Sequence, residues 1–289
     1  MISMEDIDWS EYWINTYSQA NKVDKPRDYD PNFWDKFSEK YAKYVLNNEK
    51  ATFQINENVK RFNKIFNLDK NTTILEIGPG PGTYTIPLAK IVKKITVVEP
   101  AEGMAKILLK RAKEENLDNI AIIPKRWDDV ELNKDFEKHD LVFSSYSLIV
   151  DDMGESLLKM NESKNKYCGI LTSADFPVHK DIYCKIGDLL NIENSKKAKL
   201  SLSHILLLNI LDQYGIPANV NVYEGQFYQY FESIDEAFSK YITDYDRTRD
   251  LKLSENQKDS VKELLSKILT KNEDRWEYNM DSKEALIWW

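Results

Sequence analysis

An apolar run containing one acid passes straight into three alternate glycines: Thr73-Ile74-Leu75-Glu76-Ile77-Gly78-Pro79-Gly80-Pro81-Gly82-Thr83-Tyr84. This stretch constrains the chain more than any other. Thr73 to Ile77 reads as a buried parallel strand. A helical pattern begins near Tyr84 and continues through Ile86, Leu88, Ala89 and Val92. Strand, glycine turn and helix is how an open α/β sheet makes room for a nucleotide at the carboxyl end of its first strand. Glycine there allows close approach of a ligand and φ values that other residues avoid.

The spacing selects among nucleotides. A dinucleotide turn has the pattern Gly-x-Gly-x-x-Gly, whereas here Gly78, Gly80 and Gly82 alternate and Thr83 stands where the last glycine would be. A second apolar strand, Ile95-Thr96-Val97-Val98-Glu99-Pro100, reaches its acid seventeen residues beyond Gly82. A carboxylate at that point suits both hydroxyls of an adenosyl ribose, through two charge-assisted hydrogen bonds. From Thr73 to Phe176 the chain resembles the class I S-adenosylmethionine-dependent methyltransferases, whose first motif is acid-x-Gly-x-Gly-x-Gly and whose second strand ends in an acid.

The resemblance implies an α/β, Rossmann-like fold: a seven-stranded sheet of order 3-2-1-4-5-7-6 with the last strand antiparallel and helices on both faces. It divides the chain into an N-terminal helical lid (1–68), a donor-binding core (69–184), a helical insertion before strand six (185–218) and a C-terminal completion of the sheet (219–289). It implies S-adenosyl-L-methionine as cofactor and S-adenosyl-L-homocysteine as product. Glu76 would close strand one near the methionine end, cradled by Gly78, Pro79, Gly80 and Gly82. Glu99 would hold the ribose, and Pro100 and Met104 would touch the adenine, although Met104 reads equally as core. After the third strand, Asp128 would accept from the adenine amino group and Trp127 would stack on the ring. Ser144 and Ser145, ending the fourth strand, would lie near the methyl group.

Methyl transfer from a sulfonium requires alignment and exclusion of water more than acid–base machinery. Two residues are candidates for catalysis. Tyr146 follows the fourth strand. His179 follows the fifth, and an imidazole titrates near neutrality. No metal site is expected: Cys168 and Cys184 are the two cysteines, too few for a cysteine zinc site or a disulfide scaffold.

The remaining helices are read from periodicity. Trp9, Tyr12, Trp13 and Tyr17 share one face; Phe33, Phe37, Tyr41 and Val45 repeat every four residues behind the Asp30-Pro31 start. Their aromatic rings suit a core or, in a lid over the strand ends, a pocket. Residues 200–211 are apolar nearly all round, which demands cover on several sides, from lid and sheet or from a second copy in a homodimer. The net charge of −8 offers no basic field for a nucleic-acid strand. The place after strand four reads Ser144-Ser145-Tyr146-Ser147, where amino-methylating nucleic-acid members of the family carry Asn-Pro-Pro-Tyr. Both features point away from nucleic acid, and an aromatic helical lid with an acidic surface points to a small-molecule acceptor. Protein or RNA methylation, or donor binding without turnover, are the alternatives. Without a signal peptide or a membrane-length apolar run, a cytoplasmic protein with no membrane contact is expected.

Overall fold

In the computed structural model, residues 7–18, 30–46, 49–174, 180–192, 204–246, 252–272 and 274–289 are described. The apolar runs become the middle of a mixed sheet. Strands β1 (Thr73–Ile77), β2 (Lys94–Val98), β3 (Ile120–Ile123), β4 (His139–Ser145) and β5 (Lys164–Ser173) pair in parallel in the order β3-β2-β1-β4-β5. Ile74, Leu75, Ile95, Val97, Val142 and Phe143 are fully buried. Strands covered on both faces are what a parallel sheet requires, and they explain why these runs are almost continuously apolar.

Helices α4 (Thr85–Ala89), α5 (Glu102–Glu114) and α6 (Met153–Ser163) follow β1, β2 and β4. Ahead of the sheet stand α1 (Trp9–Tyr12), which continues as a π-helical turn (Trp13–Ser18), then α2 (Pro31–Leu46) and α3 (Glu49–Phe66). Asp30 starts α2 as its sequence suggests, its side chain accepting from the Asn32 N–H at 2.9 Å. Phe62 of α3 is buried with its ring 4.8 Å from that of Phe143.

Beyond β5 the sheet runs on as β5-β8-β6, with β6 (Asn219–Phe231) and β8 (Arg275–Trp288); a short β7 (Thr270–Asn272) pairs antiparallel with β8. The expected order therefore holds, with the terminal strand between the fifth and sixth, and the extra β7 brings the sheet to eight strands. Cys168 and Trp289 exchange both backbone hydrogen bonds, at 2.9 and 3.2 Å, the mark of an antiparallel pair.

The chain divides into two compact units: Met1–Thr172 with His204–Val222 and Ala285–Trp289, and Ser173–Ser203 with Tyr223–Glu284. The second has its own core of Ile182, Ile186, Phe231, Tyr241, Val261 and Leu265, drawn from β6 and from helices α7 (Lys180–Leu189), α9 (Ile234–Asp246) and α10 (Glu255–Ile268). These boundaries differ from the four segments expected from the sequence. Strands β6 and β8, at 13 and 14 residues, outlast every core strand, and their outer parts belong to the second unit. Helix α8 (His204–Gln213) belongs to the first unit, where α1 and α6 pack on it and Leu206, Leu207, Ile210 and Leu211 are buried. That part of the apolar segment finds cover inside its own chain. Among the described residues no helix is long and apolar enough to cross a membrane.

Candidate active site

The site is built where β1 and β2 end. The Gly78 N–H donates to the Val98 carbonyl at 2.9 Å, which turns the chain out of β1. Each glycine of the turn then has its own reason. Gly78 has φ +65°, and a Cβ on it would lie 2.5 Å from the Ser147 Cβ, so the loop after β4 occupies that space. A Cβ on Gly82 would lie 3.0 Å from Leu108, where α5 packs against the turn. At Gly80 the nearest atom would be the Tyr41 Cε1 at 3.9 Å, leaving the open face of the turn for a ligand. Arg111 of α5 clamps the turn from behind: one guanidinium nitrogen donates to the Pro81 and Gly82 carbonyls at 2.7 and 2.9 Å. Pro79 is buried within the turn.

Two buried carboxyls flank this turn. Glu76 accepts from the Thr85 hydroxyl at 2.6 Å, so it ties the end of β1 to the start of α4. Glu99, 6% exposed, accepts from the Gly80 N–H at 3.0 Å and from the Ala101 N–H at 2.9 Å. Burial pushes each carboxyl up to about 7. The Thr85 bond and the two backbone bonds pull the other way, and like charge adds to the rise, from Glu99 on Glu76 and from Asp35 on Glu99. An ionised carboxylate has about four acceptor positions, and Glu99 uses two on the backbone. What remains matches a ribose diol. The residues present therefore fit an adenosyl donor: open glycine turn, acid with spare acceptor capacity, and α2 close above.

The other sequence candidates fall into three groups. Pro100 is half-buried at the end of β2, and Met104 is buried on α5. The second group lies in the loop after β3. Trp127 is 4% exposed, stacked on Phe136 with ring centroids 6.1 Å apart, and the Lys159 ammonium lies 4.8 Å from its centroid. The ring expected to stack on adenine is thus taken up by packing, because the loop after β3 folds its tryptophan inward onto Phe136. Asp128 beside it is exposed and paired with Arg126 at 3.0 Å.

The third group ends β4. Ser144 is fully buried, and its hydroxyl and that of Ser147 both donate to the Ile77 carbonyl, at 3.3 and 2.6 Å. These serines hold the loop against the glycine turn. Ser145 is half-buried, while Tyr146 is half exposed and adopts φ +54°, with its N–H donating to the Leu171 carbonyl at 3.0 Å. His179 lies outside the described residues. Among those described, no group of three or more His, Cys, Asp or Glu could hold a metal ion.

Several residues of the site escaped the sequence reading: Thr85, Arg111, Asp35 and Lys159. Lys159 donates to the Trp127, Asp128 and Val130 carbonyls at 2.6, 3.1 and 3.2 Å and so fixes the loop after β3. None belongs to a motif, because each acts on the backbone or side chain of another element. A partial signal existed for Asp35, Ser38 and Tyr41, whose three-residue spacing places them on one face of α2.

Compared with known proteins, residues 35–159 match the ribosomal RNA adenine dimethylase family. A Haemophilus influenzae protein described as uncharacterized is 25% identical over 100% of this chain and 98% of its own length. Ribosomal RNA small subunit methyltransferase A of Fusobacterium nucleatum is 29% identical over 48% of this chain and 57% of its own length. The Mycoplasma mycoides enzyme of the same name is 27% identical over 47% and 49%. The chain thus spans about half the length of these named relatives. A solved structure of a SAM-dependent methyltransferase from Aquifex aeolicus aligns over 68% of this chain and 93% of that one, at 17% identity and a TM-score of 0.45. The named relatives overturn the expectation that nucleic acid is disfavoured as a partner, since they are methyltransferases of ribosomal RNA. That expectation rested on the charge of the whole chain, which averages over segments of opposite sign, and on the lack of Asn-Pro-Pro-Tyr after β4, which marks only the amino-methylating members.

Proposed function

Because the chain is a class I S-adenosylmethionine-dependent methyltransferase, we propose that it places the donor's methyl group on a base of RNA. The match to ribosomal RNA adenine dimethylases carries this reading, since residues 35–159 include most of α2, the glycine turn, Glu99 and the loop after β4. Local charge supports it. Pro31 to Phe66 holds seven Lys or Arg against four Asp or Glu, a positive stretch in a chain of net charge −8. Lys36, Lys40 and Lys43 are exposed along α2, the helix nearest Gly80.

The bound donor supplies a methyl group on a sulfonium, with a neutral thioether as leaving group. The chain's residues have three tasks. Glu99 holds the ribose, and Gly80 lets the donor approach the backbone. Tyr146 meets the acceptor. A bulky residue with positive φ costs about 1–2 kcal/mol, and here the Leu171 carbonyl and the Ser147–Ile77 bond maintain it. Tyr146 is the one exposed side chain of the Ser144-Ser145-Tyr146-Ser147 stretch. The stretch differs from Asn-Pro-Pro-Tyr, so the grip on the base differs from that of the amino-methylating members. Positioning by a ring fits a flat base, which stacks whatever its edge.

Transfer from methyl-tritiated donor to protein-free RNA tests the reading. Label should appear in a methylated nucleoside after RNA digestion. Tyr146→Ala should lower kcat by roughly ten- to a hundredfold while donor affinity is kept. Donor binding with no label entering any RNA would contradict it.

A further inference from the structure

We propose that Asp35, on α2, is a positioning residue for the donor: it caps α5 from outside the sheet and so sets the turn that carries Glu99. Helix α5 begins directly after Glu99-Pro100-Ala101, and its N-cap residue, Ala101, makes no side-chain capping bond. The first-turn N–H groups of a helix need an acceptor, normally a side chain at the N-cap. Here the Gly103 N–H donates to the Asp35 Oδ1 at 2.7 Å. The acceptor comes from another helix, 68 residues earlier in the chain.

The packing at this contact leaves no slack. A Cβ on Gly103 would lie 2.6 Å from the Ser38 Oγ and 2.8 Å from the Asp35 carbonyl oxygen, so glycine is what lets α2 come this close. On the same face of α2, the Tyr41 ring reaches the open side of the turn at Gly80. Asp35, Ser38 and Tyr41 thus join α2 to both structures that would hold the donor, the first turn of α5 and the glycine turn.

The cap carries a charge, and that charge bears on Glu99. The groups facing Glu99 are Asp35 and Tyr41 from α2 and Glu76 from β1. Lys106 of α5, which Asp35 also influences, is engaged with Glu102 at 2.7 Å. Asp35 therefore does two separable things: its oxygen caps α5, and its charge opposes ionisation of the ribose-binding acid.

Two variants separate them, with donor affinity measured by titration calorimetry between pH 6 and 8.5 and melting recorded without ligand. Asp35→Ala loses the cap and should bind S-adenosylmethionine about tenfold more weakly at pH 8. Asp35→Asn keeps an oxygen acceptor, so its affinity at pH 8 should stay within about twofold of the parent. The midpoint of its affinity-versus-pH profile should move to lower pH, since a like charge beside Glu99 is gone. A merely structural Asp35 would lower the melting temperature and leave that midpoint in place. An Asp35→Asn profile that superimposes on the parent, or an Asp35→Ala protein that binds like it, overturns the proposal.

Discussion

Gly78→Val is expected to lower the melting temperature by roughly 10 °C and to abolish donor binding. Three costs add. A β-branched residue must take the left-handed backbone that Gly78 adopts at φ +65°, worth about 2 kcal/mol or more. Its Cβ would meet the Ser147 Cβ and Oγ at 2.5 and 2.7 Å, and such overpacking costs about 1–3 kcal/mol. Displacing Ser147 also breaks its bond to the Ile77 carbonyl, about 1 kcal/mol more. In a chain of this size each kcal/mol corresponds to about 2–4 °C. Gly80→Ala supplies the contrast. It too needs a positive φ, +54°, but its Cβ would meet nothing nearer than Tyr41 at 3.9 Å. It should melt within a few degrees of the parent and still lose donor affinity, because the methyl group would stand in the ligand's space. Thermal melts and donor titrations on both variants check this. A Gly78→Val protein that melts like the parent, or a Gly80→Ala protein with full affinity, contradicts the division of roles.

Donor affinity is expected to rise roughly tenfold from pH 6 to pH 8. Glu99 is pushed up to about 7 in the free protein, and ribose hydroxyls bond to its ionised form, so binding must expel the proton. One proton with a pKa near 7 weakens binding about tenfold at pH 6 and hardly at pH 8. S-adenosylhomocysteine should show the same slope, since it shares the ribose and lacks the sulfonium. Glu99→Gln should remove the slope. The stability of the free protein runs the opposite way. Glu76 and Glu99 are both raised above the usual 4.5, so the folded state holds their protons more tightly than the unfolded chain does. The stability they contribute is complete below about 4.5 and is lost as pH rises through 7. Calorimetric titrations across pH, with both ligands and with Glu99→Gln, measure the effect. A flat profile in the parent would remove Glu99 from the ribose.

The central sheet was legible because its strands are buried on both faces, so Ile74-Leu75, Ile95 to Val98 and Leu141 to Phe143 had to be apolar runs. The glycine turn was legible because alternate glycines before an amphipathic helix serve few other purposes. Other parts were not. Trp127 next to an acid looks the same whether its ring meets adenine or Phe136, and an irregular loop carries no periodicity to decide. Asp35 sits in an ordinary amphipathic helix, and its bond to Gly103 crosses 68 residues. The two-unit division depends on how far β6 and β8 outlast their neighbours, which alternation alone does not reveal. The expectation against nucleic acid leaned on net charge, which conceals the positive stretch from Pro31 to Phe66.

The most direct test of the account is calorimetric titration of S-adenosylmethionine into the parent protein and Glu99→Ala, alongside melting curves of both without ligand. Losing two charge-assisted hydrogen bonds to the ribose should weaken binding by roughly a hundredfold or more. The variant loses the Glu99 bonds to the Gly80 and Ala101 N–H groups but also sheds a buried acid whose ionisation burial opposes, so it should melt a few degrees below the parent with the fold kept. That pairing, affinity lost and fold kept, is what the account predicts. Equal affinity in the two proteins would contradict it and place the donor somewhere other than the carboxyl ends of β1 and β2.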